Sequence, residues 1–151
     1  MDIYEQISRD EGNRLKPYLD CCGEFWRDCT CTPRFKGKLT IGRGRNLEDR
    51  GITAGESFTM FHVDVQTHRN EVNECYPWAA GKLNDARYAV LVNLCYNMGI
   101  GRLMGFKKMI AAIRQENWQA AHDELLDSFY ARQVGDRAHR LAGQLLTGQW
   151  K

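Results

Sequence analysis

Ile3, Tyr4 and Ile7 fall at helical spacing ahead of Gly12, which predicts a short helix over residues 2–11 that ends on Glu11 with Gly12 as its C-cap. From Pro17 to about Gly44 the helical period is gone. Gly, Pro, Thr and aromatic residues gather there around KPYLD, FWR and KLTIG, a pattern that predicts a small antiparallel sheet with turns. Thr53-Ala-Gly-Glu56 has the form of a capping box, and Phe58, Phe61, Val65 and Val72 follow it at helical spacing. One long helix is therefore expected from about 54 to 75, ending before Pro77. Between Asn84 and Met98 the apolar residues Ala86, Val90, Leu91, Leu94, Cys95 and Met98 cover much of the circumference, as in a helix at the centre of a core. Further helices are expected at about 106–114, 117–126, 128–133 and 137–146, separated by short polar or Gly breaks.

These elements define an α+β fold: a small N-terminal lobe with an antiparallel β-sheet, a long connecting helix and an all-helical C-terminal lobe. A chain of 151 residues, 43% of them hydrophobic, fits one domain over residues 1–151. Within it, residues from about 12 to 58 form the β-containing lobe. Residues from about 59 to 151, with the N-terminal helix 2–11, form the helical lobe. Ligands favour the groove between two such lobes.

Charge adds little. The net charge is +2; residues 1–75 carry 11 basic and 13 acidic side chains, and residues 76–151 carry 10 and 6. No run of like charges marks a nucleic-acid tail. The start, MDIYEQISRDEG, has no basic segment followed by an apolar stretch, so no signal peptide is expected, and no run of about 20 apolar residues spans a membrane. A location in a cytoplasm is therefore expected, with any target outside it reached through another factor.

One stretch conflicts with local stability. Asp10 and Glu11 close the first helix, where acids oppose the helix dipole, which points to a functional demand on them. Asp20 closes the strand-like KPYLD segment across a turn. Paired carboxylates flanking a cleft are the requirement of glycoside hydrolysis, although two acids at this separation are ordinarily surface groups.

The surrounding segments narrow the choice. DEGNRLKPYLD, GKLTIGRGRNL, RGIT, LVNLCYNMGIG and QVGDRAHRLAGQLLTGQW follow one another in the order seen in the phage-type lysozymes, the endolysins of glycoside hydrolase family 24. The chain resembles that family, its T-even bacteriophage type in particular, along almost its whole length. The resemblance implies a lysozyme-like fold and hydrolysis of the β-1,4 bond between N-acetylmuramic acid and N-acetylglucosamine. By the same resemblance Glu11 matches the general acid, Asp20 the second catalytic carboxylate, and Thr40 the hydroxyl that helps hold the attacking water, with inversion the expected outcome. Arg137 matches an arginine that reaches the acid. Asn93, Tyr96 and Asn97 match cleft-facing positions, and Tyr18 and Leu47 are further expected substrate contacts. Arg45 and Asp64 match a paired position and are expected to form a structural ion pair, while Phe129 and Tyr130 are expected in the core. The resemblance further implies no required cofactor, peptidoglycan as partner, no nucleic acid, no stable membrane insertion and a monomer. Such an enzyme stays in the host cytoplasm until a holin releases it to the wall. Two rivals remain: a lytic transglycosylase, which has no need of Asp20 and Thr40, and a non-catalytic cell-wall or nucleic-acid binding module.

The chain departs from the family pattern between Asp20 and Thr40, where CCGEFWRDCTCTPRFKGKL lengthens it. Four of the six cysteines, Cys21, Cys22, Cys29 and Cys31, lie there. Their spacing lacks the C-x-x-C pairs of zinc knuckles; disulfides formed after export, structural zinc and unmodified thiols all stay open. The insertion is expected to rim the cleft, with Phe25 and Trp26 as new substrate contacts. Cys95 and Cys75 read as buried small hydrophobes. His62, His68, His122 and His139 show no ligand spacing and are expected at the surface. Gly42 and Gly44 are expected to allow tight backbone geometry.

Overall fold

A computed structural model describes residues 3–28, 30 and 37–151. The chain divides into two compact units, residues 1–58 and 59–151. Helix α1 (Ile3–Glu11) opens the first unit, followed by strands β1 (Arg14–Leu19), β2 (Leu39–Gly42) and β3 (Arg45–Asn46) and the single-turn helix α2 (Leu47–Arg50). The strands form one antiparallel sheet in the order β1-β2-β3, with Thr40 of β2 between Tyr18 of β1 and Asn46 of β3. Among the described residues of this unit only Leu19 and Thr40 are buried. The described part of the first unit is therefore held mainly by its backbone ladder.

Gly12 ends α1 as expected: its φ is 68° and its N–H donates to Ser8 O at 3.1 Å, a left-handed C-cap that residues with a Cβ rarely adopt. The FWR segment departs from expectation. It forms no strand, and Phe25 makes only an isolated bridge to Tyr18. Residues 21–28 instead fold back on β1, with Gly23 N–H donating to Leu19 O at 2.8 Å and Leu19 N–H to Glu24 O at 3.1 Å. Turn bonds to β1 satisfy the backbone groups that a strand ladder would have used.

The long helix α3 (Ala54–Cys75) carries the chain from the first unit into the second. Its capping box is complete: Thr53 N–H donates to Glu56 Oε2 at 2.7 Å, and Glu56 N–H to Thr53 Oγ1 at 3.2 Å. The Thr53 N–H first, and then the Thr53 hydroxyl, which donates to the same Oε2 at 2.9 Å, hold the Glu56 carboxyl below its usual range. The apolar stripe of α3 is not buried along its length. Phe58 and Phe61 remain exposed, and Val72 alone is buried, because the second unit's core reaches this helix only near its end.

Beyond α3 come α4 (Ala79–Lys82), α5 (Asp85–Met98), α6 (Ile100–Leu103), α7 (Lys107–Arg114), α8 (Trp118–Leu126), α9 (Phe129–Val134) and α10 (Asp136–Thr147). Asn84 caps α5, accepting from Arg87 N–H, and six of the helix's fourteen residues are buried, among them Val90, Leu91, Leu94 and Cys95. They meet Leu103, Met109, Ile113, Leu125, Leu141 and Leu145 in one continuous core. The start of α5 is tied to the end of α10: Arg87 Nε donates to Leu145 O at 2.8 Å, and buried Gln144 donates to Ala86 O. A cation on the last carbonyls of α10 also complements its dipole.

Tyr130 is buried as expected, but Phe129 is exposed. The Tyr130 hydroxyl is buried and has no hydrogen-bond partner among the described residues, and burial pushes its pKa up. An unsatisfied buried hydroxyl carries a desolvation cost of ~1–3 kcal/mol. Tyr130→Phe should therefore leave stability unchanged or raise it by up to about 1 kcal/mol in urea unfolding; a loss above about 1 kcal/mol would show that the hydroxyl has a partner in solution.

Candidate functional site

Glu11 is the last residue of α1 and is exposed. Its carboxylate lies against the β2–β3 turn at Gly44, where an added Cβ would stand 2.8 Å from Glu11 Oε2. Gly44 also has φ 77°, a backbone conformation that favours glycine, and a Cβ there would push the Glu11 carboxylate from its place. Gly44→Ala is expected to reduce at least tenfold any activity that depends on Glu11, while costing only about 1–2 kcal/mol of stability. Parallel turbidity and melting assays check this, and full activity would show that the Glu11 position does not depend on this contact.

Asp20 follows β1 directly. Its N–H donates to Lys38 O at 3.2 Å, and its Oδ1 accepts from Lys38 N–H at 2.7 Å. Thr40 lies two residues further along the chain, and its hydroxyl donates to the same Lys38 carbonyl at 3.0 Å. The Asp20 carboxylate and the Thr40 hydroxyl are thus both fixed by the backbone of one residue. Thr40 is buried and Asp20 exposed. The Lys38 ammonium is engaged elsewhere, 3.0 Å from Asp49 and 3.6 Å from Glu48. Gly37 makes the approach of Asp20 possible, since a Cβ there would fall on Asp20 Oδ1 and the Cys21 backbone nitrogen.

The remaining sequence-predicted contacts of this unit surround the sheet. Tyr18 is half-buried with the Arg14 guanidinium 4.6 Å above its ring, and Arg14 also donates to Gly23 O. Phe25 is half-buried and Trp26 exposed, their ring centroids 6.0 Å apart. Leu47, half-buried, opens α2 behind its N-cap Asn46. Cys21 and Cys22 are exposed with sulfurs 3.8 Å apart, while Cys29 and Cys31 lie outside the described residues. Arg45 pairs within its own unit. It meets Glu56 at 3.0 Å and donates to Gly51 O at 3.0 Å, because the capping box already holds the Glu56 carboxylate within its reach.

In the second unit α5 sorts its residues by face. Asn93, Tyr96 and Asn97 are exposed while Leu91, Val92, Leu94 and Cys95 are buried, the three exposed residues sharing one helical face. Arg137, in the first turn of α10, donates to Asn93 Oδ1 at 2.7 Å. Asn93, Tyr96 and Arg137 line a groove of about 550 Å³ with Phe61, Arg69 and Trp150. Asn97 instead lines a cavity of about 840 Å³ with Phe106, Phe129 and Tyr130.

One grouping escaped the sequence reading. His68 Nδ1 lies 2.7 Å from Glu71 Oε2, and the buried Cys95 thiol lies 3.3 Å from the same oxygen and 3.6 Å from His68 Nδ1. Contacts from His68 first and Cys95 second hold the Glu71 carboxyl below its usual range. Burial, then Glu71, pushes the Cys95 thiol up to about 12. The only signal in the chain was the i,i+3 spacing of His68 and Glu71 on one helix; that Cys95 faces them follows only from the packing of α5 on α3. Cys75, expected in the core, is exposed.

A small antiparallel sheet followed by a mostly helical chain makes a lysozyme-like α+β fold. The protein belongs to the Phage lysozyme family, whose profile matches residues 8–145. It is 27% identical to Probable T4-type lysozyme 1 of Dictyostelium discoideum over 97% of this chain and 94% of that protein. For Probable T4-type lysozyme 2 of the same organism the identity is 26%, over 99% and 96%. It is also 29% identical to the pre-baseplate central spike protein Gp5 of Enterobacteria phage T4 over 98% of this chain, which spans only 28% of Gp5. The protein is thus a glycoside hydrolase of the lysozyme class. Among the described residues no helix is long and apolar enough to cross a membrane.

Proposed function

We propose that this lysozyme hydrolyses the β-1,4 bond between N-acetylmuramic acid and N-acetylglucosamine in bacterial peptidoglycan. Glu11 donates a proton to the leaving glycosidic oxygen, and Asp20 with Thr40 positions the attacking water. The observation that carries this reading is the joint anchoring of Asp20 and Thr40 on the Lys38 backbone. A carboxylate and a hydroxyl held by one peptide segment make a rigid pair of water ligands, as a single-displacement hydrolysis requires. Inversion then needs the Glu11 and Asp20 carboxyls about 6.5–9.5 Å apart, with room for water between sugar and base. Asn93, Tyr96, Asn97 and Arg137 serve as saccharide contacts, with Tyr18, Leu47, Phe25 and Trp26 around the sheet. The reaction needs no cofactor. In a phage setting a holin would admit the enzyme, a monomer, to the wall.

The test is digestion of purified peptidoglycan in water enriched in oxygen-18, with mass spectrometry of the fragments. Hydrolysis gives reducing muramic ends that carry one labelled oxygen. Unlabelled 1,6-anhydro ends would replace this reading with transglycosylation, and an intact wall would leave a binding module.

A further inference from the structure

We propose that His68, Glu71 and Cys95 form a binding site for a thiophilic divalent cation, zinc by the chemistry of its donors, that ties α3 to α5. The proposal is independent of the glycosidase reading, since none of the three residues belongs to the proposed reaction. Their ligand atoms all lie within 4.8 Å of one another. Imidazole nitrogen, carboxylate oxygen and thiolate sulfur are the three donor types that zinc accepts from proteins, and a three-residue set leaves a fourth position for water.

The distances suit that ion. Tetrahedral zinc with ordinary bond lengths sets its ligand atoms roughly 3.3–3.6 Å apart. Cys95 Sγ already stands 3.6 Å from His68 Nδ1 and 3.3 Å from Glu71 Oε2. Only the third edge, 2.7 Å between His68 Nδ1 and Glu71 Oε2, has to open. The ion would replace that hydrogen bond, and the partly exposed side chains of His68 and Glu71 leave room for the movement.

The layout also provides an entry path and a rigid base. Cys95 is fully buried in the core, so its sulfur is fixed, while His68 and Glu71 flank it from the solvent side. Binding moves a proton from each of two donors: the Cys95 S–H bond breaks and its proton leaves to solvent, while the Nδ1 proton that His68 shares with Glu71 passes to Nε2 or to solvent, so that the sulfur and Nδ1 lone pairs coordinate the metal. The ring of Tyr96 stands edge-on to His68 at 5.3 Å, so fixing His68 also restrains Tyr96 on the exposed face of α5.

The experiment uses the full chain with Cys21, Cys22, Cys29 and Cys31 replaced by Ser, which removes the competing thiols of the insertion, and titrates it with Co²⁺ alone. The expected result is one equivalent bound, a thiolate-to-cobalt charge-transfer band, and displacement by Zn²⁺. Cys95→Ser should abolish the band. Because that buried position is sensitive to substitution, His68→Gln and Glu71→Gln provide the independent arm, each weakening binding at least about tenfold. No thiolate band overturns the proposal; so does a band that survives Cys95→Ser and is lost with Cys75→Ser, or affinity unchanged in both His68→Gln and Glu71→Gln.

Discussion

Glu11→Gln is expected to lose about 10²–10⁴-fold of the rate on purified peptidoglycan, the range that a positioned general acid contributes, while its melting temperature stays level or rises. The two halves of this prediction rest on the same placement. Gln keeps the size and the hydrogen-bonding oxygen of Glu but cannot donate an acidic proton to a leaving alkoxide. Glu11 is exposed on the last turn of α1, where the carbonyl end of the dipole disfavours a negative charge. Its neighbour Asp10 has a compensating cation in Arg9 at 2.9 Å. Removing the second charge therefore relieves the helix end as it disables the chemistry. A variant that loses activity and stability together would make Glu11 a structural residue, and one that keeps its rate would end the general-acid assignment. Asp20→Asn makes a useful companion, because an amide at that position can still accept from Lys38 N–H, so a rate loss there reports on charge and not on the turn.

The sequence made the long periodic elements legible for a physical reason: each carries its own start signal and enough turns for a face to repeat. Thr53 and Glu56 cap α3 as their spacing predicts, and α5 begins within a residue of where its apolar pattern opens, at Asn84, which the structure shows to be its cap. The one-turn helices α2, α4 and α6 were invisible, since four residues cannot display a period of 3.6. FWR failed as a strand because aromatic composition signals a half-buried surface and not a ladder. The Arg45–Glu56 pair was not legible for a different reason. A charge takes the nearest fixed carboxylate, and nothing in the spacing of residues shows which one the turn after β3 will bring close. The candidate site divides along the same line. The acidic pair at the end of α1 stood out through its conflict with the dipole, whereas the meeting of Asp20 and Thr40 at Lys38 depends on strand register. Gly37 and the His68, Glu71 and Cys95 group likewise depend on three-dimensional approach, which leaves no periodic trace.

The largest loss of stability is expected from Leu94→Ala, at about 2–5 kcal/mol. Leu94 is fully buried on α5, in a core that draws on α7, α8 and α10 as well. Deleting its side chain removes apolar contact on several elements at once, and helices fixed by other contacts close only part of the resulting cavity. The ties between Arg87 and Leu145 O and between Gln144 and Ala86 O hold α5 to α10 and resist such collapse, which favours the upper part of the range. Calorimetry should show the transition lowered by on the order of 10 °C. Asn93→Ala, one position earlier but on the exposed face, is expected to change stability far less. Its deletion frees Arg137, which retains access to water, so the change should stay within about 1 kcal/mol. Adjacent residues with such unequal effects would establish α5 as a helix with one narrow working face on a structural body. Similar losses at Leu94 and Asn93 would refute that division, and would move the Arg137–Asn93 contact from substrate recognition to the support of the fold.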